Sequence, residues 1–464
     1  MITRLKVRGF KNLQAVDVRF GPFTCIVGRN GVGKSNLFDA LLFLGALANQ
    51  TLLEAATSVR GSDPLINLFS PKTQSMSFEV EFLAPREGLD ELGQQARASA
   101  TFLRYGLELD YVAPTKANPR DNLRIRTENL GYIVKSDAAH SLGFPHSVAW
   151  RNSVVDGARR TPYISTDLQK RVVSLHQDRT NDNKRGGRPW AFPVETLPRT
   201  VLSSATNAQE NPTAVLARQA LRSCTLLQLE PSALRSSDAF QDPAHLSPQG
   251  RYLPNTLQRI AQADDDKARV VTQVANRLAG LVEDVDSVRV ETNDQKRIHT
   301  VVLKDLKGQE LSASSLSDGT LRFLALSVLE LDPERSGVLC LEEPENGIHP
   351  ERLPAMMELL QDIAVDVQEK SAPDNPLQQV LINTHSPIVL GLVPKDTVLF
   401  ARGGKGGLMF LPLSNTWRQT EEGRTVALGD VLAYLNPILR NQYGYTPSKG
   451  SVAAEVPGQL ELRY

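Results

Sequence analysis

Residues 23–42 read FTCIVGRNGVGKSNLFDALL, and this stretch decides the fold. Gly28 to Ser35 fits the pattern G-x-x-x-x-G-K-[ST] at every fixed position. A short apolar run, Phe23 to Val27, leads in, and a helical pattern from Asn36 to Leu47 leads out. Each residue type has a physical task. Glycines let backbone N–H groups close around phosphate oxygens where a side chain would intrude. The following helix offers unpaired N–H groups and its positive dipole end to the same anion. Lys34 is expected to neutralise β- and γ-phosphates, and the Ser35 hydroxyl to complete a Mg2+ shell. Nucleotide contacts are therefore expected from Gly28, Asn30, Gly31, Gly33, Lys34, Ser35 and Asn36.

The second half of the site stands some three hundred residues downstream. Val338 to Leu341 is an apolar run suited to a buried parallel strand, and it ends in Glu342-Glu343-Pro344-Glu345. A carboxylate at such a strand end, beside a phosphate loop, can hold Mg2+. Its neighbour can polarise the attacking water. Glu342 is assigned to the metal and Glu343 to the water. A further apolar strand, Val380 to Ile382, ends in Asn383-Thr384-His385-Ser386-Pro387, which places His385 to sense a γ-phosphate. Ser317-Asp318-Gly319 opens a strongly apolar helix. Local physics leaves two readings there, a plain N-cap or an anion site.

The rest of the chain gives the setting. Its 464 residues are 41 % hydrophobic and 22 % charged with zero net charge, an ordinary globular composition. No global field recruits nucleic acid, so any such contact is local. Cys25, Cys224 and Cys340 lack metal spacing and suggest a reducing cytoplasm. No signal-peptide core or bilayer-length apolar run is present, so a soluble cytoplasmic protein without membrane contact is expected. Alternation over residues 2–20, broken at Lys11-Asn12-Leu13, predicts a hairpin-like strand pair. Strands are expected at Ser75 to Leu83, Ala98 to Tyr111, Leu123 to Arg126 and Gly131 to Lys135. Arg60-Gly61-Ser62 reads as a loop closing a helix from Leu52 to Val59. Between residues 137 and 200 the pattern weakens. From Arg151 to Arg199 ten Lys/Arg face five acids, consistent with a solvated insertion or with a DNA or partner contact through Lys184 and Arg185. Helical periodicity returns at Ala214 to Cys224 and at Leu257 to Leu281. Asp264-Asp265-Asp266 reads as a solvated turn.

Taken together, ITRLKVRGFKNL, IVGRNGVGKSN, SLSDGTLRFLAL, LCLEEPENGIHP and INTHSP resemble the ABC-type ATPases of the RecF/SMC/OLD group, and their short, coil-free "predicted ATPase" branch (AAA_21-like) most of all. GRYLPNTLQRI also looks like a family segment. The resemblance covers roughly 1–85 and 225–415. It implies an α/β P-loop NTPase with an ABC-type head: a mixed core sheet flanked by helices, an antiparallel β subdomain and an α-helical or irregular insertion. The implied division is 1–112 and 236–415 for the two halves of the head, 113–235 for an arm and 416–464 for a helical tail. ATP and Mg2+ are the implied cofactors, sandwiched in a head-to-tail homodimer or higher oligomer. Ser317 and Gly319 would reach the γ-phosphate in trans, Asn346 to His349 would face the dimer, and His385 would be the switch. Glu342 stands where Asp is commoner, and Asp318 replaces a usual Gly. The glutamine that normally links nucleotide to the lobe interface has no clear position; Gln74 is a candidate.

The expected function is ATP hydrolysis in DNA repair or anti-phage defence, controlling a separate effector such as a nuclease or toxin, or a DNA contact. The tail is too short and acid-poor for the Toprim domain of OLD-type nucleases. The alternative is a slowly hydrolysing, ATP-locked scaffold that sequesters a toxic partner until triggered. A transporter subunit shares the motif order, but the opening and the ENGIHP loop argue against it.

Overall fold

The computed structural model describes residues 1–435 except 72, 117–119, 158, 160, 179–187, 264–266, 280–284, 405–406 and 419–423. Lys184, Arg185, the triple aspartate and most of the tail after 416 lie outside the described residues.

The Phe23–Val27 strand is buried at every residue and sits inside a six-stranded sheet. The order is Cys224–Leu227, Gly337–Glu342, Gln378–Thr384, Phe23–Val27, Val398–Gly404 and Gly407–Pro412. All neighbours pair in parallel except the last two. Continuous apolar runs belong in such strands because both faces are covered. Successive side chains confirm it. Ile26, Cys340 and Leu381 enter one hydrophobic core, whereas Cys25, Val27, Leu339, Leu341, Val380 and Ile382 enter the other.

An eight-stranded antiparallel sheet lies over the first core, in the order Trp190–Pro193, Val172–Leu175, Ile164–Asp167, Asn122–Tyr132, Phe102–Val112, Ser75–Leu83, Ile2–Phe10 and Leu13–Arg19. Period-two alternation puts Leu5 and Val7 opposite Val80 and Phe78 on its buried face. The helix after the phosphate loop, Ser35–Leu47, is thereby packed between two sheets. Phe43 stacks on Phe10 at 5.7 Å and meets the edge of Phe78 at 5.9 Å. A smaller sheet, built on the Val285–Asn293 and Ile298–Asp305 hairpin, precedes the Asp318–Glu330 helix.

Several elements differ from the sequence expectation. The two strands expected around Leu123 and Gly131 are one, Asn122–Tyr132. The apparent break is Glu128, a charged residue at a wholly buried position. Its carboxyl accepts from the N–H groups of Val201 at 2.7 Å and Leu202 at 2.8 Å and from the Tyr105 hydroxyl at 3.1 Å. A buried carboxyl satisfied this way interrupts the pattern without interrupting the strand. The weakly patterned 137–200 segment supplies three short strands that extend the antiparallel sheet, plus helices Ala138–Leu142 and Val148–Val154. Fully buried Trp150 packs there with Phe144, Val154 and, from the C-terminal half, Val365. Ser147 N–H donates to the Val367 carbonyl at 2.9 Å. The helical stretch after Leu257 is two helices, Leu253–Ala263 and Lys267–Ala279.

Burial pushes the Glu128 carboxyl up to about 7, only partly opposed by its three hydrogen bonds. The folded chain then holds a proton that the unfolded chain releases near the ordinary glutamate value, so stability falls as pH rises from about 4.5 to about 7 and is flat above. Thermal melts across that range should show this slope in the parent, and Glu128→Gln, which mimics the protonated form, should flatten it.

Candidate active site

Strand Phe23–Val27 delivers the chain into a loop whose shape depends on three glycines. A Cβ on Gly28 would lie 2.6 Å from the Ala401 carbonyl oxygen. Gly31 and Gly33 have φ of +75° and +98°, where side chains are strained. A Cβ on Gly33 would also meet Asn12 Nδ2 at 2.1 Å. Asn12 is close because it braces the loop: Nδ2 donates to the Val32 carbonyl at 3.0 Å, and Oδ1 accepts from Asn36 Nδ2 at 2.7 Å. The Lys34 ammonium curls back over the loop, donating to the carbonyls of Gly28 at 2.7 Å and Arg29 at 3.1 Å. Burial lowers its pKa, against the opposing pull of Glu343, Glu345 and Glu342.

The facing wall is the carboxyl end of the Gly337–Glu342 strand. Burial pushes the Glu342 carboxyl up, but hydrogen bonds from Arg60, Ser35 and Asn383 outweigh it and hold it below its usual range. Arg60 takes both oxygens, each at 3.0 Å. Glu343 turns the chain sharply with φ of +47°. Its N–H donates to the Asn383 carbonyl at 2.9 Å. One oxygen lies 2.8 Å from His385 Nδ1 and the other accepts from Asn346 Nδ2 at 2.9 Å. Held like this, Glu343 is a fixed acceptor rather than a mobile side chain. Burial also raises the pKa of Glu345, which pairs with the Thr384 hydroxyl.

These walls enclose a cavity of about 740 Å³, lined by Asn30, Gly31, Gly33, Lys34, Ser35, Glu342, Glu343, Asn346 and Asn383 among others. Gly28 and Asn36 flank the loop, and His385 stands behind Glu343. Ser317 and Gly319 do not line it. Ser317 is exposed and caps its own helix, accepting from Thr320 N–H at 3.2 Å. What that helix contributes to the cavity is Arg322 and Leu326. The Ser35 hydroxyl hydrogen-bonds Glu342, so the donor set offered to a cation is all oxygen, which suits Mg2+.

Four side chains at the site escaped the sequence reading. The glutamine on the cavity wall is Gln228, at the end of the unforeseen Cys224–Leu227 strand, which lies parallel to Gly337–Glu342. Gln74 is a correction: it precedes the Ser75–Leu83 strand of the other sheet, where its carbonyl bonds the N–H of Tyr111, and it does not line the cavity. The run Cys224-Thr-Leu-Leu-Gln228 carries the signal, but its first residue falls within the helical periodicity of Ala214 to Cys224. Asn12, Arg60 and Arg322 sit in loops or on a helix with no pattern to mark them. In the basic 151–199 region, Arg159, Lys170 and Arg171 are paired with Asp178, Asp167 and Glu195. No helix among the described residues is long and apolar enough to cross a membrane.

A phosphate loop after a central parallel strand, an acidic strand end beside it and an antiparallel sheet over the first helix define an ABC-type P-loop NTPase head. Two family models agree. Residues 1–87 match the RecF/RecN/SMC N terminal domain, and residues 192–391 match the "AAA domain, putative AbiEii toxin, Type IV TA system" family. Among curated proteins the chain is similar to DNA replication and repair protein RecF of Magnetococcus marinus, 30 % identical over 180 residues, 38 % of this chain and 43 % of that one. It is 51 % identical over 45 residues to RecF of Porphyromonas gingivalis, 10 % of this chain and 12 % of that one. The chain thus spans less than half the length of these relatives. Among solved structures, the SMC head bound to the C-winged helix domain of ScpA is 14 % identical with a TM-score of 0.48, covering 89 % of this chain and 98 % of that one. These family matches support an ABC-type ATPase of the RecF/SMC kind.

Asn12→Ala removes both braces of the loop and should weaken nucleotide binding by about 1–2 kcal/mol, roughly five- to thirtyfold. Titration with a fluorescent ATP analogue measures this; an unchanged affinity would mean the loop keeps its shape unaided.

Proposed function

We propose that this chain binds and hydrolyses ATP as a head-to-tail dimer or higher oligomer. The observation that carries the reading is the convergence of Lys34, Glu342 and Glu343 on one cleft, with His385 paired to Glu343, all drawn from three neighbouring parallel strand ends. The loop N–H groups and Lys34 bind the phosphates. Ser35 and Glu342 would hold Mg2+, which would supply charge neutralisation to the bound phosphates. Glu343 accepts a proton from the attacking water, its orientation fixed by His385 and Asn346. With Nδ1–H donated to Glu343, a neutral His385 presents a lone pair at Nε2. Donation from Nε2 to a γ-phosphate therefore needs a second ring proton or a break in the Glu343 pair, which makes the pair itself the switch. Ser317 and Gly319, exposed or half-buried and outside their own chain's cavity, act on the nucleotide of a partner copy.

The relatives named for DNA replication and repair support a DNA-related role, with anti-phage defence and a separate effector, nuclease or toxin, as its finer form. The alternative, a slowly hydrolysing ATP-locked scaffold, has one observation in its favour: Arg60 occupies the carboxylate assigned to the metal.

Lys34→Ala should abolish ATP binding, and normal hydrolysis by that variant would sink the assignment. Glu343→Gln should keep ATP and accumulate a dimer on size-exclusion chromatography with light scattering; a monomer under saturating ATP argues against the sandwich. ATP turnover with and without double-stranded DNA, with Lys34→Ala as blank, separates the two roles. Strong stimulation favours the DNA-acting ATPase, and slow, indifferent turnover favours the scaffold.

A further inference from the structure

Glu342, the carboxylate assigned to the metal, already has a cation. Arg60 Nη1 and Nη2 each donate to one of its oxygens at 3.0 Å, the fork geometry that fits a carboxylate best. Arg60 Nε donates at 2.9 Å to Asp39 Oδ1, and Asp39 Oδ2 accepts from Lys11 at 2.7 Å. Lys11 also donates at 2.6 Å to the carbonyl of Arg60 itself. The guanidinium is thus tethered to a buried aspartate through Nε, with Nη2 also 2.8 Å from Asp39 Oδ1, while Nη1 and Nη2 reach Glu342. Asp39 is 5 % exposed but Arg60 is 47 % exposed, so the anchor is fixed and the arm has room to move.

The local charge explains the arrangement. Glu342, Glu343 and Glu345 lie within four residues at one strand end, with Lys34 opposite. A half-buried Glu342 with no positive partner would be strongly destabilising. We propose that Arg60 is an electrostatic placeholder for the divalent cation: it holds the charge and orientation of Glu342 in the resting chain and withdraws toward its Asp39 anchor when a metal–nucleotide complex enters. The proposal rests on the reading of the cleft as a Mg2+–nucleotide site. Metal alone must displace a guanidinium that gains no new partner. Metal arriving with a polyphosphate offers that guanidinium an anion, so metal and nucleotide bind together. Arg60 is a positioning residue, and it couples the loop after Leu52–Thr57 to occupancy of the site.

The test uses the full chain and Mn2+ alone, with free Mn2+ followed by electron paramagnetic resonance. Arg60→Gln removes the competitor and should tighten Mn2+ binding roughly three- to tenfold. Arg60→Lys, which keeps the charge but loses the fork, should fall between it and the parent. Adding Glu342→Gln to Arg60→Gln should abolish the gain. In thermal melts, the Tm of Arg60→Gln should rise with Mg2+ alone while that of the parent stays nearly constant. Mn2+ affinity in both Arg60 variants within about twofold of the parent would overturn the proposal. Binding of ATP to the parent in the presence of Mg2+ separates the two failures. If ATP does not bind, the nucleotide reading itself falls; if ATP binds and Mn2+ affinity ignores Arg60, only the placeholder falls.

Discussion

Three carboxylates in four residues, at the end of a buried strand, are the constraint that the rest of this site answers. Left alone they would repel one another in a partly desolvated cleft. Each has instead been given its own partner from a different part of the chain. Glu342 is held by Arg60 and Ser35, Glu343 by His385 and Asn346, and Glu345 by Thr384. Lys34 feels the charge of all three. The same acids that make the cleft expensive to build make it suited to gather a cation and a water beside a phosphate.

That arrangement depends on a rigid frame. The strands bearing the phosphate loop, the acids and His385 are immediate neighbours in one parallel sheet, and parallel register sends all their carboxyl ends to the same edge. Alternate side chains of those strands belong to two separate cores, so neither face can slip without exposing apolar surface. The antiparallel sheet clamps the helix that continues from the loop. Asn12, at the turn of its first hairpin, carries that sheet's position directly into the loop backbone.

Buried polar groups account for much of what was hard to read. Glu128 splits a strand pattern although the strand is continuous, because three donors compensate its burial. The short strands between residues 164 and 193 are each four residues long, too short for alternation to stand out from a loop. Cys224–Leu227 follows a helix after a single residue, so its apolar run blends into the helical one. That blending also hid Gln228 and left Gln74 as a mistaken substitute.

The sequence by itself determined the phosphate loop, the two acidic and histidine-bearing strand ends, and the ABC-type order of these motifs. Those features are local: fixed spacing, apolar runs and glycine positions are written in neighbouring residues. Only the tertiary structure decided that Asn12 braces the loop, that Gln228 lines the cavity, and that Arg60 holds Glu342 across 282 positions of chain. Such pairings are set by how sheets and helices pack. A loop arginine bound to a distant glutamate has the same local sequence as one bound to water, so no pattern could announce it.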